Sequence, residues 1–565
     1  MSLLGSLQIA NNALFASQVG LQVTGNNIAN ANTPGYVRQR PVFTPATTQL
    51  IGELPLGLGV QVEGIIQQSD RFLSERLRGA ISDLAGSEAQ EEAYVQLEAL
   101  IGELTDTDLS TSFSNFFNAI NDVLNQPEDV SVRNLAVLQG GTLTDDIRRI
   151  DSRILDIRTN INSKIVSSAS DINRLLSQIA ELNVNIVQTE GGSTSASDAV
   201  GLRDQREVAL AELSKIVKLR VVEQPTGSVS VFADGDFLVF EGVFRPVEVE
   251  YTSDRGLSVA TINLAATDAP IAAFAGSLAG NYAARDSILG GFLDELDELA
   301  STLAFEFNKI YSSGQGLTGL KEAESERSVS SEILALDQTG LPFTPVNGSF
   351  EIKVFNTRTG LTKTEDIFVN LNGLKDDTTL ESLTASLNDI EGLVAQITPD
   401  RKLKIESDSP ILEFGFGSDT SHVLAAIGLN TFFSGSNSRD IGVSDVVRDD
   451  PSKFAASEGG VGEDTNIALR LAAFADTPLE ARNGQTFVDQ YEDTVAKVTQ
   501  ASSVTKAVSE GFRVFQRTLE GQNLGLTGVS IDEEAINMIS YQRTYQASAR
   551  LVATISELLN VLMTL

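Results

Sequence analysis

Apolar and polar positions alternate with a helical period at both ends of the chain, most clearly at the N-terminal end. Its main row of apolar residues recurs every seven positions, and a second row of apolar or small residues lies four positions before each member of the main row. The run Asn32-Thr33-Pro34-Gly35 closes the pattern, because proline disfavours helix before it and glycine allows a turn. The pattern predicts one long helix, and its main row, the predicted assembly face, consists of Leu7, Leu14, Leu21 and Ile28.

The C-terminal end carries a matching pattern. Ser530 and Glu533 have the spacing of a capping box, and residues 531–565 contain neither glycine nor proline. A second terminal helix is therefore predicted over this range. Its predicted assembly positions, which follow two heptad rows, are Ile531, Met538, Tyr545, Val552, Ile555, Leu559 and Leu562.

Two interior stretches also predict long helices. Residues 142–190 contain no glycine or proline, keep isoleucine and leucine in heptad rows, and are followed by a Gly-Gly pair. Residues 487–519 carry apolar side chains in four-three alternation. Because such stripes are unstable when uncovered, we expect a shared helical bundle that also contains helices near 97–101 and 289–310.

Short runs of valine and phenylalanine, separated by turn residues, predict strands within 221–250 and 350–368. The second region also contains a predicted short helix near 380–393, and its polar flanks favour an inserted domain. The predicted fold class is α+β with several domains. The predicted domains are a terminal-helix assembly domain (1–45 with 521–565), a helical bundle domain (46–320 with 446–520) that includes a β-rich part at about 219–285, and an inserted α+β outer domain (321–445).

Charge is distributed very unevenly along the chain. The 565 residues include 41 basic and 76 acidic side chains, which gives a formal net charge of −35. This surplus repels nucleic acids and anionic lipids, so we expect neither to bind. Residues 1–37 contain no charged side chain. A helix without a charged face is suited to being surrounded by protein, and we interpret both terminal helices as segments that gain order by packing with other copies.

The residue types of common catalytic and metal sites are scarce. The chain has no cysteine and one histidine, His422, which excludes thiolate nucleophiles and sites with several histidine ligands. Residues 314–319 match the letters of a dinucleotide fingerprint but follow a predicted helix where that motif needs a strand. We therefore predict no enzymatic activity, no cofactor and no metal.

Short motifs near both ends resemble those of bacterial flagellar rod, hook and hook-associated proteins. The N-terminal motif is Asn26 to Tyr36, within which the family turn is formed by Asn30, Thr33, Pro34, Gly35 and Tyr36. The C-terminal motif is Ser540-Tyr541-Gln542-Arg543-Thr544-Tyr545-Gln546. Two interior motifs, Phe113 to Ile120 and Leu202-Arg203-Asp204-Gln205-Arg206, resemble the hook-filament junction family in particular. The resemblance covers about residues 1–320 and 440–565.

The resemblance implies a structural protein that assembles with copies of itself and joins the flagellar hook to the filament. It implies hook protein and hook-associated protein 3 as neighbours, a cytoplasmic export chaperone for the C-terminal helix, and secretion by the flagellar type III export apparatus to an extracellular position. A cleavable signal peptide is not expected, because the first basic residue is Arg38. No run of 18 apolar residues occurs, so membrane insertion is not expected.

Three alternatives remain at this stage. The nearest is another flagellar axial protein, such as a hook or distal rod protein. A second is a secreted enzyme in residues 325–445 carried on a flagellar scaffold, although the chain lacks a His-Glu-x-x-His motif. A third, a free coiled-coil protein of the cytoskeleton, predicts charged solvent-facing positions at both ends, which residues 1–37 do not provide.

Overall fold

Long α-helices dominate the computed structural model. It describes residues 3–51, 54–102, 109–192, 196–271, 274–374, 376–482 and 484–564. The α-helices within these ranges are α1 (Leu3–Ala29), α2 (Arg71–Gly102), α3 (Leu109–Asn125), α4 (Val130–Thr189), α5 (Val200–Ile216), α6 (Ser277–Tyr282), α7 (Gly290–Tyr311), α8 (Leu380–Asn388), α9 (Val423–Ile427), α10 (Asp445–Asp449), α11 (Asn466–Ala472), α12 (Phe487–Thr527) and α13 (Ile531–Thr564).

The strands within the described ranges form small antiparallel sheets, ordered β1-β4, β2-β3, β5-β6-β7-β8, β11-β10-β9, β12-β16-β15, β14-β13-β17 and β18-β19. Their bounds are β1 (Gln39–Pro45), β2 (Thr48–Ile51), β3 (Leu54–Gly57), β4 (Val60–Gln67), β5 (Arg220–Glu223), β6 (Val229–Ala233), β7 (Asp236–Phe240), β8 (Val243–Phe244), β9 (Val247–Asp254), β10 (Leu257–Leu264), β11 (Ala269–Pro270), β12 (Glu322–Glu324), β13 (Gly348–Asn356), β14 (Thr362–Val369), β15 (Leu393–Ile397), β16 (Leu403–Ser407), β17 (Leu412–Asp419), β18 (Phe433–Ser434) and β19 (Gly442–Val443). Long helices and separate small sheets confirm the predicted α+β class.

The chain forms two compact units, each made of segments distant in sequence. Unit 1 consists of Met1–Ala93, Thr159–Arg285 and Ser503–Leu565, and unit 2 consists of Tyr94–Arg158 and Asp286–Ser502. The three-part division predicted from the sequence has other boundaries and stays a prediction. Residues between Leu320 and Leu429 in unit 2 do share one hydrophobic cluster, which includes Phe350, Leu383 and Phe416.

Helix α4 is longer than predicted, since it begins at Val130 and passes through two glycines before residue 142. A Cβ on Gly140 would lie 2.7 Å from the Phe432 ring and 3.1 Å from the Phe116 ring, so glycine here permits close packing and does not end the helix. The predicted C-terminal end is confirmed. Gly191 and Gly192 follow it with φ of 61° and 62°, which favours glycine.

An aromatic cluster forms the centre of unit 2. Phe116 on α3 is fully buried, and its ring centroid lies 5.5 Å from those of Phe307, Phe432 and Phe433. These rings come from helix α7 and from the segment around β18. The predicted motif Phe113 to Ile120 therefore contributes to the core of this unit.

Candidate assembly interface

The terminal helices α1 and α13 pack along one another within unit 1. The residues of α1 that this packing and its neighbours bury are mostly small, namely Ala10, Ala16, Ser17, Gly20, Val23, Thr24 and Asn27. A Cβ on Gly20 would lie 2.8 Å from ring atoms of Tyr541, so the glycine is needed for this close approach. The buried face follows the second row of the N-terminal pattern and not the predicted main row.

The predicted assembly positions lie mainly at the margins of this helix pair. Leu7, Leu14, Leu21 and Ile28 are half-buried. On α13, Met538, Val552 and Leu559 are half-buried, whereas Ile555 is buried within the chain. Ile531, Tyr545 and Leu562 are exposed. Their role as contacts between copies stays a prediction.

Both helices also expose large apolar side chains that the heptad rows did not single out. Leu4 and Phe15 on α1 are 69% and 59% exposed. On α13, Ile536 is 67% exposed, and Ile539, Leu558 and Val561 are exposed by half or more. Several large apolar side chains exposed on one helix pair make it a candidate interaction surface.

The predicted family turn follows α1 directly. The Thr33 N–H donates to the Asn30 carbonyl at 2.9 Å, and the Tyr36 N–H donates to the Thr33 carbonyl at 3.2 Å. Gly35 has a φ of 78°, and a Cβ there would lie 2.5 Å from a methyl of Val208. The Tyr36 hydroxyl donates to Asn27 Oδ1 at 2.8 Å. The turn therefore directs the chain back along α1, and Asn27, a member of the N-terminal motif, holds it there through Tyr36 and the backbone of Gln39.

An ion pair joins the segment after this turn to the start of α13. Arg38 contacts Glu534 at 2.7 Å and Glu533 at 2.8 Å, and the Glu534 side chain is 2% exposed. Burial acts to lower the pKa of Arg38, but its hydrogen bonds to both carboxylates raise the pKa overall. The pairing was not predicted. Its signal in the sequence is that Arg38 is the first charge of the chain and these glutamates follow the capping residue Ser530.

Comparisons with known proteins agree with these features. Residues 94–324 match the family model of the flagellar hook-associated protein FlgK helical domain. Residues 521–565 match that of the flagellar basal body rod FlgEFG protein C-terminal, and residues 7–36 match that of the flagella basal body rod protein. The chain belongs to the flagellar axial proteins.

Relatives of this flagellar axial chain extend over nearly its whole length. Flagellar hook-associated protein 1 of Salmonella typhimurium is 25% identical over 98% of both chains. The protein of the same name from Bacillus subtilis is 24% identical over 98% of this chain and 96% of its own. The solved flagellar hook junction protein FlgK from Burkholderia pseudomallei covers 81% of this chain and 100% of its own, at 16% identity and a TM-score of 0.49.

The interior motif Leu202 to Arg206 secures the family turn in this flagellar protein. Asp204 accepts hydrogen bonds from the backbone N–H of Val37 and from Gln67 Nε2, the latter at 2.6 Å. Burial raises the pKa of Asp204 to about 6. The neighbouring Arg203 pairs with Glu190 and Glu223, each at 2.7 Å. The motif therefore ties α5 to the turn, to the end of α4 and to strand β5.

The remaining candidates from the sequence, His422 and residues 314–319, lie in segments that connect helices and strands. His422 lies directly before α9 with a left-handed φ of 56°, and its side chain makes no cap hydrogen bond. Residues 314–319 lie in a loop after α7, where Gln315 forms a bridge with Ser457. Among the described residues, no group of three or more acidic or histidine side chains could hold a metal ion. None of the described helices is both long and apolar enough to cross a membrane.

Proposed function

We propose that this flagellar axial protein joins the hook to the filament, and that copies assemble through the outward faces of the α1–α13 pair. The observation that carries the proposal is the combination of exposed apolar side chains on both helices with the absence of charge from residues 1–37. Covering one large apolar side chain stabilises a contact by about 1.5–3 kcal/mol. The hook-associated names of its full-length relatives support the same role.

The predicted partners belong to this proposal. Hook protein would lie on one side of the junction and hook-associated protein 3 on the other. An export chaperone would shield the exposed apolar face of α13 before the flagellar type III apparatus secretes the chain. The role is structural and needs no catalysis. Within the assembly, residues 1–45 with 521–565 would form the contact layer, and residues 321–445 the outermost part.

A deletion strain tests the role directly. Loss of a junction protein should leave hooks intact and release filament subunits into the medium, and electron microscopy with analysis of the medium would show both. Absence of hooks would instead indicate a hook or rod protein. In the same strain, a chain lacking residues 531–565 should be soluble and folded but unable to form the junction. Normal junctions with this truncated chain would contradict the proposal.

Point substitutions give a milder test of the same surface. Ile536→Asp with Ile539→Asp places two charges on the outward face of α13 and should abolish assembly while the chain stays folded. Leu361→Asp is a matched control, because Leu361 is 71% exposed in a turn of unit 2. Circular dichroism and motility measured in parallel would separate loss of assembly from loss of fold.

A further inference from the structure

One outward face of α13 carries charges as well as apolar side chains. Its members recur at intervals of three, four or seven residues and lie opposite the face that contains Tyr541, Ser548 and Ile555, which is turned toward the chain. All of them are exposed. This outer stripe consists of Asp532, Ile536, Ile539, Arg543, Arg550, Glu557 and Val561.

The two arginines of the outer stripe are unusual in so acidic a chain. Between residues 535 and 556, Arg543 and Arg550 are the sole charged side chains, although the whole chain carries −35. Within the described part of the chain, the side chains of Arg543, Arg550, Asp532 and Glu557 have no hydrogen bond or ion pair. Two unpaired cations flanked by unpaired carboxylates on an apolar stripe form a surface that is complementary to a shifted copy of itself.

The spacing selects one kind of shift. With a rise of 1.5 Å per residue, Arg543 lies about 16 Å from Asp532, and Arg550 and Glu557 follow at steps of about 10 Å. Two parallel copies in register would place like charges opposite one another, which disfavours that arrangement. A displacement of roughly 14 residues, about 21 Å, places Asp532 of one copy between Arg543 and Arg550 of the next, and Arg543 of the first beside Glu557 of the second.

We propose that copies of this chain dock through the outer stripe with their α13 helices parallel and displaced by about 14 residues. This inference rests on the proposed self-assembly. The displacement equals two heptads, so the helical phase of the apolar rows is kept. The apolar members supply the contact area, and the four charges fix the axial offset between copies.

Charge exchange in the full-length chain tests the pairing. The double variants Arg543→Glu/Arg550→Glu and Asp532→Lys/Glu557→Lys should each weaken self-association at least tenfold, as measured by sedimentation in low salt. The quadruple variant restores every opposite pair and should associate as the unaltered chain does. Arg358→Glu, at an exposed turn of unit 2, is the control and should have no effect.

A crosslink measures the offset itself, because the chain contains no cysteine. Asp532→Cys with Gln546→Cys should give disulfide-linked multimers on mild oxidation of the assembled chain. Gln546→Cys alone should stay monomeric, since equivalent residues would lie about 21 Å apart. Unaltered association of both double variants, or linking through residue 546 alone, would overturn the stagger. Failure of the unaltered chain to associate would instead contradict the proposed function.

Discussion

The aromatic cluster of unit 2 and the α1–α13 pair of unit 1 bury apolar surface in opposite ways. Phe116, Phe307, Phe432 and Phe433 are fully buried against one another. The helix pair instead meets through small residues and leaves large apolar side chains such as Phe15 exposed. The cluster is completed by its own chain, whereas the helix pair leaves several large apolar side chains uncovered by its own chain.

The strongest test of this contrast removes a ring from the completed core. Phe116→Ala should lower the free energy of unfolding of unit 2 by about 3–5 kcal/mol, because the rigid surroundings cannot fill the cavity. Urea unfolding, monitored by amide exchange in α3, would measure the loss in the free energy of unfolding. Phe15→Ala is the matched control on α1. Because that ring is 59% exposed, its removal should cost under about 1 kcal/mol in the single chain and should act mainly on assembly.

The second test concerns the one buried charge of the helix pair. Arg38→Gln leaves the Glu534 carboxylate, which is 2% exposed, without its partner. We expect a loss of about 3 kcal/mol, because an uncompensated buried charge is costly. Arg71→Gln is the control, since Arg71 is 77% exposed beside Glu223 and should contribute under about 1 kcal/mol. Equal urea midpoints for both variants would show that the pair does not hold α13.

The third test uses the close approach of the two helices. Gly20→Ala places a methyl 2.8 Å from the Tyr541 ring and should cost about 1–2 kcal/mol. Gly25→Ala meets nothing within 4 Å and should stabilise α1 by up to about 1 kcal/mol through helix propensity. Amide exchange of α1 and α13 in the free chain would report both effects. The same experiment tests whether these helices order only on assembly, since strong protection in a single copy would refute that hypothesis.

The sequence predicted the helices better than it predicted their contacts. Heptad period and breakers located α1, α12, α13 and the end of α4, because these signals depend on neighbouring residues. Period alone does not state which face a neighbour covers. The main row of α1 lies at the margin of the α1–α13 pair, and the predicted heptad rows did not include the exposed Ile536 and Ile539. The predicted helix near 380–393 ends at Asn388, because strand β15 begins at Leu393.

Contacts between residues far apart in the sequence were not predicted. Arg38 and Glu534 lie 496 positions apart, so no spacing within either segment could pair them. Gly20 and Asn27 are weak helix formers within α1, yet Gly20 permits the close contact with α13 and Asn27 holds the turn. Residues with low helix propensity thus occur where contacts with other segments require them, as expected when local and global preferences conflict.

The smallest expected effect concerns the link between the turn and α5, and it appears in the pH dependence. Burial raises the pKa of Asp204 to about 6, whereas the pKa of an unfolded aspartate is about 3.9. Between these values the native state binds a proton that the unfolded state has released, so the free energy of unfolding decreases as pH rises from about 4 to 6. Asp204→Asn cannot titrate and removes this decrease. Relative to the unaltered chain, the Asp204→Asn variant should gain stability as pH rises from 4 to 7, by under about 1 kcal/mol because water still reaches the site.

Glu190→Gln is the comparison variant, and relative to the unaltered chain it should lose stability as pH rises. Burial acts to raise the pKa of Glu190, but hydrogen bonds from Arg203 and Ala199 lower it overall, so this carboxylate stabilises the fold above its unfolded pKa and the contribution is lost as pH falls. Urea midpoints of unit 1 at pH 4 and pH 7 would distinguish the two variants. An equal change of midpoint with pH in both variants would contradict the assigned role of Asp204.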